Sequence, residues 1–344
     1  MTDTPATPWL SILIPVYNVE RYLADCVASV MAQVGHGVEV LFYEDASTDG
    51  SRALLQRLQA NARIPLTVIW GQRNVGLSAG RNLLIEHARG DYLWLVDSDD
   101  LLAPGVVDAL AGIVSAHAPE LVISDYTVLE QRLRLRDRLR RFRGAQQDYH
   151  RIQTFAGPPD TMLTDRLTLL EGLYAGGSLQ TQLFIAHRDV WARGVRFPVG
   201  RYFEDQATTP GLVMRARTVW YAPQPWYIYR KRVGSITTTM SGQKLDDCAL
   251  AMIDSAEDIR PYLPAVLPAR TALAVARFHA GNFIGISRRV ARSFGPDRRE
   301  RLRRFRQHFL AALPLPVTDL LRDHWQGGRY RKWFQLRWRL RFPT

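Results

Sequence analysis

The chain has 344 residues, 47% of them apolar and 10% aromatic, enough to bury a core and too apolar for a disordered segment. Two cysteines, Cys26 and Cys248, are too few for a disulfide framework, and no run of about eighteen apolar residues offers a spanning helix. The net charge of +12 is confined to one end: residues 288–344 hold 16 Lys+Arg against 4 Asp+Glu, so the first 287 hold 29 of each. A nucleic-acid enzyme would carry its positive field around its active site, so no nucleic acid is expected as substrate.

Met1 to Trp9 lacks the basic start and apolar run of a signal peptide, and Cys26 falls on the apolar face of a helix. Both predict a reduced, cytoplasmic chain. Leu10-Ser11-Ile12-Leu13-Ile14-Pro15-Val16 reads as a strand buried on both faces. Leu23, Cys26, Val27, Val30, Met31 and Val34 then recur at helical spacing, up to the break at Gly35-His36-Gly37. A second strand, Val38 to Tyr43, runs into Glu44-Asp45-Ala46-Ser47-Thr48-Asp49-Gly50. A helix from Arg52 to Asn61, a strand from Leu66 to Trp70 and a helix from Ser78 to His87 follow. The fourth strand, Tyr92 to Val96, ends in Asp97-Ser98-Asp99-Asp100, and Pro104 opens the next helix. Leu121 to Ser124 is the fifth strand. This alternation predicts βαβ units and a parallel sheet whose ligand crevice lies beyond the carboxyl ends of its strands, where the polar clusters stand.

Beyond it the pattern loosens. Leu129 to Arg143 carries seven arginines, as a surface helix or a charged excursion. Residues 167–241 are mixed and 244–312 read as helices. At the end Phe334, Leu336, Trp338, Leu340 and Phe342 alternate with Gln335, Arg337, Arg339 and Arg341. A period of two predicts a β-ribbon or an extended interfacial segment rather than an amphipathic helix. Trp and Phe beside Arg suit an anionic membrane surface; a solvated basic face or a strand that docks a partner fits equally well.

Acidic and hydroxyl side chains in a row at a strand end suit a hard, oxygen-loving cation, and Asp97 and Asp99 share one direction on an extended segment. Alone, the same run also reads as a helix cap. It does not stand alone. Pro15-Val16-Tyr17-Asn18, Asp45 to Ser51, Asn74 to Asn82 and Asp97-Ser98-Asp99-Asp100 occur in order, followed by Arg196-Phe197-Pro198, Phe203-Glu204-Asp205 and Tyr229 to Ile236. With these motifs the chain resembles family 2 glycosyltransferases of the GT-A fold, of the bacterial cell-surface polysaccharide type, over about residues 9–240.

The resemblance implies an α/β GT-A catalytic domain at 1–240, a Rossmann-like nucleotide-binding mixed sheet with flanking helices. A basic, mainly helical region at 241–344 would follow and dock on a membrane or a partner. It further implies inverting transfer from a nucleotide-sugar, with uridine favoured, to a hydroxyl of a glycan or lipid-linked glycan at the inner face of the cytoplasmic membrane. Pro15 and Tyr17 would line the base and sugar, Asp45 would meet the base imide, and Asn74 and Arg81 would hold the uridine and its loop. Asp99 would ligate Mn²⁺ or Mg²⁺, Asp97 ribose or metal, and Asp100 would cap the next helix. Asp205 would be the general base with Glu204 orienting it, while Arg230, Arg232 and Ser235 belong to a loop that closes on the diphosphate. Two positions depart from the pattern: Glu44 adds reach beside Asp45, and Ala46 stands where the family often has glycine. The alternative, a non-catalytic nucleotide-sugar or glycan-binding module, predicts loss of these acids, yet they are present. No Gly-x-Gly-x-x-Gly follows the first strand, which argues against a dehydrogenase.

Overall fold

A computed structural model describes residues 7–62, 64, 66–130, 149–231, 241–290 and 297–341. The first part is built as the periodicity predicts: β1 (Leu10–Val16), α1 (Glu20–Met31), β2 (Val38–Glu44), α2 (Ser51–Ala60), β3 (Thr67–Trp70), α3 (Leu77–His87), β4 (Tyr92–Leu95), α4 (Val106–His117) and β6 (Leu121–Glu130). A two-residue strand, β5 (Leu101–Leu102), is too short to show in the sequence pattern. Then come β7 (Tyr149–Ile152), β8 (Met162–Leu163), α5 (Arg166–Gly176), β9 (Phe184–His187), α6 (Arg188–Ala192), α7 (Glu204–Arg215) and β10 (Val219–Lys231).

The strand order is β3-β2-β1-β4-β9-β6-β10-β5, with β7 on β6 and β8 on β10. β1 lies parallel between β2 and β4, Leu13 facing Leu41 and Leu95. Every residue of β1 is buried, because helices cover both faces of a parallel sheet. β9 then runs antiparallel to both β4 and β6, which makes the sheet mixed rather than all-parallel. The carboxyl ends of β1, β2 and β4 thus open on one edge.

The rest is helical: α8 (Gly242–Ile259), α9 (Ala269–Val290), α10 (Arg298–Ala311), α11 (Val317–Gln326) and α12 (Tyr330–Arg341). They bury their own core, in which Phe283 stacks on Phe309 with ring centroids 4.4 Å apart beside Phe305, Leu320 and Leu336. Polar bonds join this layer to the sheet domain. Arg201 pairs with Asp254, Arg215 with Asp258 at 2.6 Å, and the Tyr174 hydroxyl meets Ser255 at 2.9 Å.

The end of the chain departs from expectation. Residues 330–341 form a helix, not an extended segment. Leu336 is fully buried and Leu340 packs against the same helical core, at i and i+4. A helix needs only that one stripe, so the intervening alternation carries no strand. Among the described residues, no helix is long and apolar enough to cross a membrane.

Candidate active site

A cleft of about 690 Å³ opens at the carboxyl ends of β1, β2 and β4, a size suited to a small-molecule ligand. Pro15, Tyr17, Asp45, Asn74, Arg81, Asp97, Asp99, Glu204 and Asp205 all line it, which brings together the expected residues from five sequence motifs. Tyr17 is 44% exposed, a ring available to a base. Behind it, the Asp45 carboxylate gathers the loop before α3. It accepts from the Val75 and Gly76 amides at 2.7 and 2.9 Å and from Asn74 Nδ2 at 3.0 Å. Burial pushes the Asp45 carboxyl above its ordinary range against those bonds. Gly80 is required beneath: a Cβ there would lie 2.9 Å from the Tyr43 ring.

The two departures from the family pattern resolve differently. Glu44 adds nothing to the cleft. Its side chain is fully buried, accepting from the Ser47 amide at 2.7 Å and pairing with Arg52 at 3.2 Å. Ala46 takes φ +53°, a left-handed conformation that glycine adopts at less cost.

Asp97, Asp99 and Asp100 offer carboxylate oxygens that all lie within 4.8 Å of one another. Three hard oxygen donors at that spacing fit a divalent cation such as Mg²⁺ or Mn²⁺. Asp100 does not cap a helix, since β5 follows it and Gly105 precedes α4. Instead it is buried and accepts from the Tyr227 hydroxyl at 2.8 Å and the Arg230 amide at 2.7 Å. Burial, with Asp99 and Asp97 adding their charge, pushes its carboxyl well above the ordinary range. Tyr227 also accepts from the Asp97 amide at 3.1 Å, so one phenol fixes both ends of the acidic run.

Arg81 does not reach toward a base. Its guanidinium is 1% exposed and spent on three carboxylates: Asp97 at 2.8 Å, Glu204 at 3.0 Å and Asp205 at 2.8 Å. The Phe197 ring lies 5.2 Å from it, and Asn82 exchanges two 2.9 Å bonds with the Phe197 backbone. The Gly80-Arg81-Asn82 and Arg196-Phe197-Pro198 motifs therefore dock on each other.

Glu204 and Asp205 open α7, after Phe203 held at φ +60°, a strained conformation for a bulky residue. Both bonds to Asp205, from Arg81 and from the Thr181 hydroxyl at 2.7 Å, land on Oδ1. Among the described residues, none donates to its Oδ2. Burial raises the pKa of both carboxyls; Glu204, further raised by the Asp205 charge, is pushed up to about 7.

Arg230 is placed elsewhere than the expected diphosphate contact. Strand alternation sends Tyr229 into the cleft and turns Arg230 to α1, where it pairs with Asp25 at 3.1 Å over the Tyr22 ring. Arg232 and Ser235 lie outside the described residues.

Several residues lining or bracing the cleft had no sequence signal. Gln182 donates to Asp97 Oδ2, and Thr181 and Tyr227 have the roles above. The far wall comes from the helical layer: Gln243 on α8, and Phe278 and Asn282 one turn apart on α9. Asn282 donates to Gln206, the neighbour of Asp205, at 3.2 Å. Only the three-dimensional meeting of α7 and α9 could identify them.

Residues 11–170 match the family model described as glycosyl transferase family 2. Glycosyltransferase GlyG of Streptococcus pneumoniae serotype 4 is 25% identical over 261 residues, covering 71% of this chain and 82% of GlyG. Among solved structures, S. aureus TarS 1–349 in complex with UDP-GlcNAc superposes with a TM-score of 0.70 at 18% identity, over 96% of this chain and 90% of that one. The mannosyltransferase PcManGT of Pyrobaculum calidifontis, in complex with GDP-Man and Mn²⁺, gives 0.53 at 16% identity, over 97% and 85%. With the mixed sheet and the ordered motifs, residues 11–170 constitute a glycosyl transferase family 2 domain within a GT-A fold.

Proposed function

We propose that this protein is an inverting glycosyltransferase of cell-surface polysaccharide synthesis, taking a sugar from a UDP-sugar and adding it to a hydroxyl of a glycan or lipid-linked glycan. The observation that carries the reading is Asp205, which lines the same cleft as Asp97 and Asp99 and keeps Oδ2 clear of the bonds made by Oδ1. A base raised by burial toward working pH is suited to take a proton from a sugar hydroxyl. In the step, that hydroxyl oxygen attacks the anomeric carbon as the bond to the diphosphate oxygen breaks on the opposite face. The proton passes to Asp205, so one displacement inverts the anomeric centre. Arg81 and Thr181 fix the carboxylate during transfer. Glu204, sharing Arg81 with it, sets its orientation.

Asp99 and Asp97 would hold Mn²⁺ or Mg²⁺, which neutralises a departing diphosphate when bound. Tyr17 would stack on the base and Asp45 accept from its imide. On the acceptor side, Gln206, Gln243 and Asn282 offer carboxamides that both donate and accept, as hydroxyls require, beside the ring of Phe278. A saccharide fits such a wall. A lipid-linked acceptor would bring a cytoplasmic enzyme to the inner membrane face.

The test is titration with UDP-sugars and GDP-sugars with and without Mn²⁺, followed by transfer assays on the donor that binds. Asp205→Asn is expected to bind that donor with wild-type Kd and lose about 10²–10⁴-fold in kcat. Full turnover by the variant would move the base elsewhere, and binding without any turnover by the wild type would favour a non-catalytic module.

A further inference from the structure

Among the described residues, the last helix presents an exposed aromatic face. On α12, Leu336 is buried and Leu340 packs against the helical core, whereas Tyr330, Phe334 and Trp338 stand outward at i, i+4 and i+8. Their exposures are 56%, 64% and 42%. Trp325 of α11, 54% exposed, extends the stripe, its ring 5.0 Å from Tyr330 and 5.1 Å from Trp333. Beside these rings Arg331, Arg337 and Arg341 are exposed, and α12 contains no acidic residue. The two acids of the preceding helix α11 are paired, Asp323 with Arg277 and Arg329 and Asp319 with Arg322.

We infer that the outward face of α12, continued by Trp325, docks on an anionic lipid surface. A row of aromatic rings bordered by arginines is what an interfacial helix needs: rings at the headgroup boundary, guanidinium groups on lipid phosphates, and apolar stems along the acyl edge. The helix is too short to span and its inner stripe is already used by the protein core, so it lies along the surface. Charge selects the partner. The segment carrying this face holds the whole net charge of the chain, and each basic residue near an anionic leaflet adds about threefold to tenfold in binding. The inference deepens the proposed function by naming the surface that meets a lipid-linked acceptor, and its docking step does not require transfer.

The experiment is sedimentation of the full chain, without donor or acceptor, with phosphatidylcholine vesicles and with phosphatidylcholine–phosphatidylglycerol vesicles. Binding is expected to the mixed vesicles, weakening with added salt, and not to the neutral ones. Phe334→Ser with Trp338→Ser should abolish detectable sedimentation. Arg337→Gln with Arg341→Gln, a second pair that leaves the aromatic stripe intact, should weaken it about 10- to 100-fold. All four side chains are exposed, so melting curves should match the wild type. Wild-type sedimentation that ignores lipid charge, or that survives both pairs, would overturn the inference. So would a wild-type dimer or an RNA complex that the aromatic pair disrupts while vesicle binding is absent. Donor binding by a chain that ignores vesicles would leave the transferase reading standing and sink this one alone.

Discussion

The neutral first 287 residues and the basic end of the chain use charge in opposite ways. In the first, opposite charges are buried against each other: Arg81 serves three carboxylates, and Asp125, fully buried, takes Arg151 at 2.8 Å and the Tyr221 hydroxyl at 2.9 Å. In the second, Arg331, Arg337 and Arg341 of α12 face solvent on a helix without acids. Paired buried charge fixes geometry at the scale of a hydrogen bond, whereas surface charge of one sign makes a long-ranged field and leaves local structure to packing. The catalytic groups proposed above belong with the first kind of charge and the proposed docking face with the second.

The comparison breaks most sharply at Arg81. Arg81→Ala is expected to cost about 3–5 kcal/mol, because it leaves three clustered carboxylates without their cation. Urea unfolding measures it; a loss near that of an exposed salt bridge would mean that the cluster is not electrostatically bound. Arg81→Lys should recover only part, since a single ammonium cannot span the three positions of the planar fork.

A second prediction concerns how the helical layer stores ionisable groups. His279 is buried, neither ring nitrogen has a partner among the described residues, and burial holds its pKa down to about 4. Its folded value lies below the unfolded 6.5, so its contribution is present above about 6.5 and lost as pH falls toward about 4. Burial does the same to His324, also brought to about 4. Thermal midpoints should therefore fall across that window, and His279→Leu should flatten the fall. An unchanged slope would put the acid sensitivity in other groups.

The smallest effect tests the donor loop. Ala46→Gly relieves a left-handed φ of +53°, and the gain, offset by glycine's extra backbone entropy, should be about 0.5–1 kcal/mol. A stability loss would show that the Ala46 methyl packs usefully.

What could be read in advance divides along the same line. The first nine major strands and helices were legible because buried parallel strands are continuously apolar and their helices show a clean 3.6 period, as Leu10–Val16 and Glu20–Met31 do. That Asp97, Asp99 and Asp205 line one cleft was legible because they stand in short local motifs at element ends. Arg81 was placed in the site but given the wrong contacts, since nothing local reveals that Glu204 and Asp205 return to it from 123 and 124 residues away. Gln243, Phe278 and Asn282 had no local signal at all. The last helix misled for a different reason: one buried leucine stripe is enough for a helix packed at an edge, and the exposed aromatics between gave an accidental period of two.

Arg81 also ties the two halves of the cleft thermodynamically. One guanidinium divides its attraction between Asp97, through Nη2, and Asp205, through Nη1, the carboxylates proposed to serve donor and acceptor. Any occupant that changes the charge felt at Asp97 changes what remains for Asp205, and linkage makes the effect mutual. On the proposed reading, donor occupancy at Asp97 and the proton affinity of Asp205 are therefore reciprocal variables, coupled through a single shared cation.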